Sequence, residues 1–182
     1  MSKILPAARL GNPVLRKVAR RLTPTEIRSH TIQTLIRDMR YTLVKERYGV
    51  GIAAPQVGRS VALSVIGIKP TPTRPDREPF DAVIINPEII ETYGRRKQSW
   101  EGCISCGTGD DTLYGLVPRY TKLKLRWLDE HAVPHEEVVD GFVAHVVQHE
   151  TDHLNGVLFV DLVKDTTSYM MADEYRKRIA RT

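Results

Sequence analysis

The sequence predicts an α+β fold with an antiparallel sheet, and three observations carry that expectation. Residues 24–47 repeat apolar side chains at helical spacing, residues 122–128 alternate strictly, and a second helical stretch runs from Gly141 to about Leu154. Helix, several strands, then helix is an order that suits this class. In the first helix, Ile32, Leu35, Ile36, Met39 and Leu43 form one stripe, Thr23 or Thr25 caps it, Pro24 suits the first turn and Gly49 the stop. Residues 49–58, GVGIAAPQVG, are too rich in small side chains for regular structure throughout. Val61–Ile68 is β-branched and reads as a strand. Lys69–Pro79, with four prolines and five charges, reads as an exposed loop. Ala82–Asn86 reads as a strand ended by Pro87, with Ile89–Tyr93 as a further one. In residues 122–128, Lys122, Lys124 and Arg126 face water while Leu123, Leu125 and Trp127 face the core. A turn at Asp129–Pro134 leads to a strand around Glu136–Val139. Asp140 caps the second helix, and Asn155 with Gly156 closes it. Leu158–Val163 reads as extended, and residues 168–182 as a basic amphipathic helix.

The chain of 182 residues is expected to form a single domain, 1–182, long enough to bury a core without disulfides. Its 41% apolar and 27% charged residues exclude general disorder. No apolar run approaches the roughly 20 residues of a membrane span, so no membrane partner is expected. Two cysteines close together argue against a secreted disulfide framework and for a cytoplasmic protein. The net charge of +5 fits transient contact with nucleic acid, a ribosome or an anionic surface. Lys3, Arg9, Arg16, Lys17, Arg20 and Arg21, with no acid among residues 1–25, superficially suggest a transit peptide. Pro6 and Pro13 weaken that reading, and a secretory signal is excluded because no apolar core of suitable length is present.

The chemistry centres on His149-Glu150-Thr151-Asp152-His153. Two histidines at i and i+4 share one helical face and reach one metal ion, and Glu150 lies close enough to take a proton from a water there. The third ligand decides the class. The position six residues past His153, where the long zinc-protease signature has a histidine, is Phe159, and Glu174 sits among residues of a solvated helix face. Upstream, Glu101-Gly102-Cys103-Ile104-Ser105-Cys106 offers a thiolate, and a Cys–His–His set leaves a fourth position for water. Two alternatives stay open at this point: a closed structural zinc site of Cys103, Cys106, His149 and His153, and a redox dithiol.

Together, Gly49-Val50-Gly51-Ile52-Ala53-Ala54-Pro55-Gln56, Glu101-Gly102-Cys103-Ile104-Ser105 and Gln148-His149-Glu150-Thr151-Asp152-His153 resemble the motifs of the peptide deformylase family, in family order and separation. The resemblance runs from Gly11-Asn12-Pro13-Val14-Leu15-Arg16 to Leu158-Phe159, which leaves no room for a transit peptide. It implies removal of the formyl group from formyl-methionine at the start of new polypeptides, with release of formate. By resemblance, Cys103, His149 and His153 hold the metal, ferrous iron physiologically, with nickel, cobalt or zinc able to replace it. Glu150 carries the proton, while Gln56 and the backbone N–H of Ile104 stabilise the oxyanion. Gly51 and Gly102 bind the extended substrate backbone, and Phe142 and Val146 form the methionine pocket, with His145 at its edge or in a structural hydrogen bond. The fold so implied packs antiparallel sheets around a central helix carrying His149 and His153.

Several features depart from the family pattern. Ile104 replaces the usual leucine, and Cys106 follows the core motif as a small packing residue or as a thiol near Cys103. The run 107–115 is longer than in many members, and its Asp110, Asp111 and Tyr114 are placed to reshape the substrate entrance. Glu101 and Arg119 are expected to form a partly buried ion pair that fixes the Cys103 segment. The basic tail, with Arg176, Lys177, Arg178 and Arg181, is a solvated face or a contact to ribosomal RNA.

Overall fold

The computed structural model describes residues 2–46, 49–71 and 77–179. Two helices come first, α1 (Pro24–Ile27) and α2 (His30–Lys45). The strands are β1 (Gly51–Ala53), β2 (Leu63–Ile68), β3 (Phe80–Gly102), β4 (Leu113–Leu128) and β5 (Pro134–Asp140). Helix α3 (Gly141–Leu154) follows, then β6 (Met170–Met171) and α4 (Ala172–Arg178). Neighbours pair antiparallel in the order β1-β2-β3-β4-β5, and β6 pairs with the start of β4. Mixed helix and antiparallel sheet is the class expected, although the described strands join in one sheet where several were anticipated.

The sheet is covered on both faces where β2 and β3 cross it. Leu63, Val65, Val83 and Ile85 pack with Ile32, Ile36, Met39 and Leu43 of α2. Their neighbours Ile66, Ile68 and Ile84 face the other way, against Val143, Ala144, Val146 and Val147 of α3. A strand buried on both faces needs no polar alternation, which is why Val61–Ile68, apart from Ser64, carries no polar side chain. Further along, Leu123, Leu125 and Trp127 are buried, whereas Lys122 and Arg126 are exposed and Lys124 is half-buried. That strand thus shows the half-solvated pattern read from its sequence.

Further expectations about single elements need correction. The helix predicted over 24–47 is two helices, because Ser29 caps α2 through Ile32 N–H at 3.4 Å while donating to Glu26 O at 2.6 Å. Thr23 and Glu26 form a capping box on α1, with Pro24 in its first turn as anticipated; Arg47 lies outside the described residues. Pro87 does not end a strand, since β3 runs through it. Asn86 has φ 52° there, and its side chain accepts from Leu22 N–H at 2.9 Å and donates to Leu22 O at 2.8 Å. A register shift between Ile85 and Glu88 absorbs the proline, as a bulge does. Leu158–Val163 is not extended but holds a 3-10 turn at Phe159–Asp161, which Asp161 closes by accepting from Leu158 N–H at 2.8 Å. The tail is β6 and then the short α4, and residues 180–182 lie outside the described residues, as do Pro72–Asp76 of the proline-rich loop.

Asp140 holds the N-cap position of α3 but makes no side-chain cap bond. Gly156 follows the helix with φ 74° and packs so closely on the backbone of Arg16 that a Cβ would stand 2.7 Å from its carbonyl oxygen. This contact seats the end of α3 on the N-terminal segment. Ala19 N–H adds a bond to Leu154 O at 2.7 Å.

Candidate metal centre and its cavity

Three segments bring the site together. The end of β3 delivers Glu101 and Gly102, with Cys103 following at once; α3 delivers His149, Glu150 and His153. The turn after β1, Ala54–Val57, delivers Gln56. Cys103 Sγ lies 3.3 Å from His153 Nε2, which is 3.2 Å from His149 Nε2. The ligand atoms of these three residues all lie within 4.8 Å of one another, and no other such group of His, Cys, Asp and Glu occurs among the described residues. Two imidazoles and a thiol converging in a buried place are a donor set that fits a divalent transition metal. Glu101 accepts from His149 Nδ1 at 2.8 Å, which fixes that ring with Nε2 turned inward. His153 Nδ1 is buried with no hydrogen-bond partner among the described residues.

Glu101 is itself held by Arg119 of β4, whose Nε and Nη2 donate to it at 2.5 and 3.0 Å. Nη1 of Arg119 reaches Asp152 on α3 at 2.5 Å. The expected Glu101–Arg119 pair is therefore present, with Asp152 as an unanticipated third member. Burial opposes ionisation of Glu101, but Arg119 and His149 outweigh it and hold the carboxyl well below the usual range. The same burial lowers the pKa of His149, yet its bond to Glu101 raises it on balance. His145 stands 3.4 Å from Glu101, stacks near Phe142 and, chiefly through burial, is held down at about 4.

Glu150 is buried beside the triad, and Oε2 has no hydrogen-bond partner among the described residues. Burial pushes its carboxyl up to about 7, with the Glu101 charge adding to the effect against His149. A proton carrier poised near neutrality is suited to both taking and giving a proton. Gly51 is what admits it: a Cβ there would stand 2.8 Å from Glu150 Cδ. Gln56 is pinned by accepting from Ala53 N–H at 2.8 Å, which leaves Nε2 free to point at Cys103 Sγ, 3.3 Å away, and at Ser105 Oγ, 3.5 Å away. The Cys103 thiol is pushed up by its neighbour Cys106 and by burial, and a coordinated cation would reverse that by taking the thiolate. Cys106 stands outside the converging group, and it packs half-buried against the cluster of Cys103, Val117 and Phe159.

A cavity of about 270 Å³ opens on this centre. Its walls include Gly51, Gln56, Gly102, Cys103, Ile104, His149 and Glu150, and also Phe142, His145 and Val146 of α3. Of the residues assigned a catalytic, substrate-binding or metal role from the sequence, all but the deeper His153 line this one cavity, whereas Cys106, Asp110 and Asp111 do not, and Asp110 is instead paired with Arg176. Arg77, Trp100, Tyr114 and Tyr175 line it too. Sequence reading assigned no role there to Arg77, Trp100 or Tyr175, since none belongs to a metal-binding pattern and Tyr175 comes from the far end of the chain. Glu174, once a possible ligand, is instead paired with Lys177 and Arg178 on α4.

The family model described as polypeptide deformylase matches residues 4–168. A peptide deformylase of Leptospira biflexa is 39% identical over 160 residues, covering 87% of each chain. One from Aquifex aeolicus is 40% identical over 166 residues, covering 91% of each. Among solved structures, the class I type b peptide deformylase of Acinetobacter baumannii bound to Met-Ala-Ser is similar with a TM-score of 0.81 at 37% identity, covering 90% of this chain and 100% of that one. The Thermotoga maritima peptide deformylase gives 0.75 at 31% identity, covering 89% and 99%.

Proposed function

Because the chain belongs to the polypeptide deformylase family, and so removes the N-formyl group from nascent polypeptides, we propose that the converging donors and the buried Glu150 are its catalytic centre. The observation that carries this is geometric: a three-donor metal group, an acid held near neutral pKa and a fixed amide donor share one cavity. Cys103, His149 and His153 hold a divalent ion, ferrous iron in our reading, with nickel, cobalt or zinc as substitutes. When bound, such an ion supplies Lewis-acid polarisation and lowers the pKa of an attacking water. Glu150 accepts the water proton on its carboxylate and passes it to the departing peptide nitrogen. Gln56 Nε2 and the N–H of Ile104 stabilise the oxyanion that forms at the formyl carbon. Gly51 and Gly102 let the substrate backbone approach in extended form, and Phe142 with Val146 receives the methionine side chain.

Formate release from formyl-Met-Ala-Ser by protein loaded with ferrous iron, without oxygen, tests the reading. Glu150→Ala is expected to slow release by about 10²–10⁴-fold while the metal stays bound. A rate unchanged by that substitution removes Glu150 from the proton path, and no release from folded, loaded protein overturns the assignment.

The remaining placements are also our reading. Residues 1–182 form one domain with α3 at its centre, supported by apolar packing of α3 against side chains of β2, β4 and β5. The site of action is the cytoplasm, where nascent chains begin; no described helix is long and apolar enough to cross a membrane. Transient ribosome contact through the basic tail is supported by the net charge of +5. Against it, Arg176 is paired with Asp110, Lys177 with Asp173 and Glu174, and Arg178 with Glu174, while Arg181 lies outside the described residues. That contact stands only if salt-sensitive co-sedimentation with ribosomes disappears when these four are neutralised.

A further inference from the structure

Three half-buried aromatic rings line the same cavity without any part in the metal centre: Trp100 at the end of β3, Tyr114 at the start of β4 and Tyr175 on α4. Tyr114 and Tyr175 are stacked, with centroids 4.1 Å apart and planes 5° from parallel, and Trp100 meets Tyr175 edge-on at 5.6 Å. The Tyr114 ring covers Gly102 so closely that a Cβ there would stand 2.8 Å from it. Tyr114 therefore sits directly beside the backbone next to Cys103, with Tyr175 stacked on it.

The last helix is fastened in a way that holds this shelf in place. Met170 and Met171 pair with Tyr114 and Leu113, Ala172 is buried, and Arg176 forms an ion pair with Asp110 in the long 107–115 run. Rigid aromatic surface facing a cavity binds flat or apolar side chains with little loss of freedom, because the rings are already ordered against each other.

Resting on the deformylase reading, we infer that Trp100, Tyr114 and Tyr175 form a subsite for an apolar, preferably aromatic, side chain on the residue that follows formyl-methionine. In an extended peptide successive side chains point to opposite sides. With methionine against Phe142 and Val146 of α3, the next side chain faces away from that wall, and the shelf contributed by β3, β4 and α4 is a separate wall of the cavity. The C-terminal helix thus reads the substrate, although it carries no group that acts on the formyl bond.

The test compares formyl-Met-Phe-Ser with formyl-Met-Gly-Ser on the iron-loaded full chain. The phenylalanine peptide is expected to have a kcat/KM about three- to tenfold higher, carried by KM and not by kcat. Tyr175→Ala brings that ratio close to one, and Tyr175→Phe keeps it. A wild-type ratio near one overturns the proposal, as does a ratio that Tyr175→Ala leaves unchanged. Should Tyr175→Ala fail to fold, Tyr175→Leu replaces it and the ratio is read in the same way. An independent readout is the binding of Met-Phe-Ser and Met-Gly-Ser, followed by tryptophan emission. Of the two tryptophans, Trp127 is buried against His135, so a change that depends on Tyr175 reports Trp100. If no formyl peptide is turned over, the deformylase reading fails on its own. The shelf is then decided by this titration, where equal affinity for the two peptides overturns it.

Discussion

Arg119 is the residue on which most of the centre's order converges, since its guanidinium joins Glu101 of β3 and Asp152 of α3, and Glu101 in turn fixes His149. Arg119→Ala leaves the carboxylate of Glu101 buried without its main counter-charge. The expected cost is about 3–5 kcal/mol of stability, measured by urea unfolding. Loss of a group that orients a ligand also weakens metal affinity by roughly 10–100-fold, measured by chelator competition. An unchanged midpoint together with unchanged metal retention would refute this role. The pair itself was legible in the sequence, because an acid beside Cys103 needs a cation if the strand is buried. Asp152 was not, since an acid within a His-Glu-Thr-Asp-His run reads as ordinary helix surface. Tyr175 was invisible for a different reason: only the folded path of the last residues brings it to Tyr114.

At the scale of elements, the 3-10 turn Phe159–Asp161 shows how one carboxylate replaces an expected strand. Asp161 caps Leu158 and pairs with Arg16, and that pairing, ahead of a modest opposing effect of burial, holds its pKa below the usual value. A depressed folded pKa means the stabilisation is complete above the unfolded value of about 3.9 and fades as pH falls through the folded one. Asp161→Asn is expected to cost about 0.5–1 kcal/mol near neutrality. The gap between the two proteins should close between about pH 5 and pH 2. A gap that stays constant with pH would show that shape and not charge is responsible. Elements defined by periodicity, such as α3 and the alternating part of β4, were readable. Breaks made by side chains were not, as at Ser29, whose hydroxyl ends α1 and caps α2 ahead of the apolar stripe, and at Asn86, whose amide holds Leu22 across a bulge.

For the whole molecule, the proposed ligands Cys103, His149 and His153 join α3 to the segment just after β3, so an ion that binds them only in the folded chain would raise global stability. Ion at about 100 times its Kd is expected to add about 2.7 kcal/mol, seen as a higher Tm that a chelator reverses. Cys103→Ala should abolish most of that increment; an equal rise in that variant would place the ion elsewhere. The candidate site was more legible than the architecture around it. Its residues sit in three short patterns whose chemistry requires their spacing, whereas the joining of all described strands into one sheet depends on pairings between distant segments. Two-sided burial of Val65 and Ile66 also hid the period that would have assigned their faces.

The bulges of β3 have a consequence for how such a chain tolerates change in length. Register against β4 shifts between Ile85 and Glu88, Ile89 and Glu91, and Tyr93 and Arg96, then runs unbroken from Arg96 to Gly102. Odd residues are therefore accommodated before the strand reaches the centre, and its final stretch keeps its own phase. An insertion near Gly94 enlarges an existing irregularity, whereas one between Arg96 and Gly102 turns Glu101 to the opposite face and takes Arg119 and His149 out of its reach. Length variation along this lineage should accordingly collect in the outer half of the strand and spare its last turn toward Cys103.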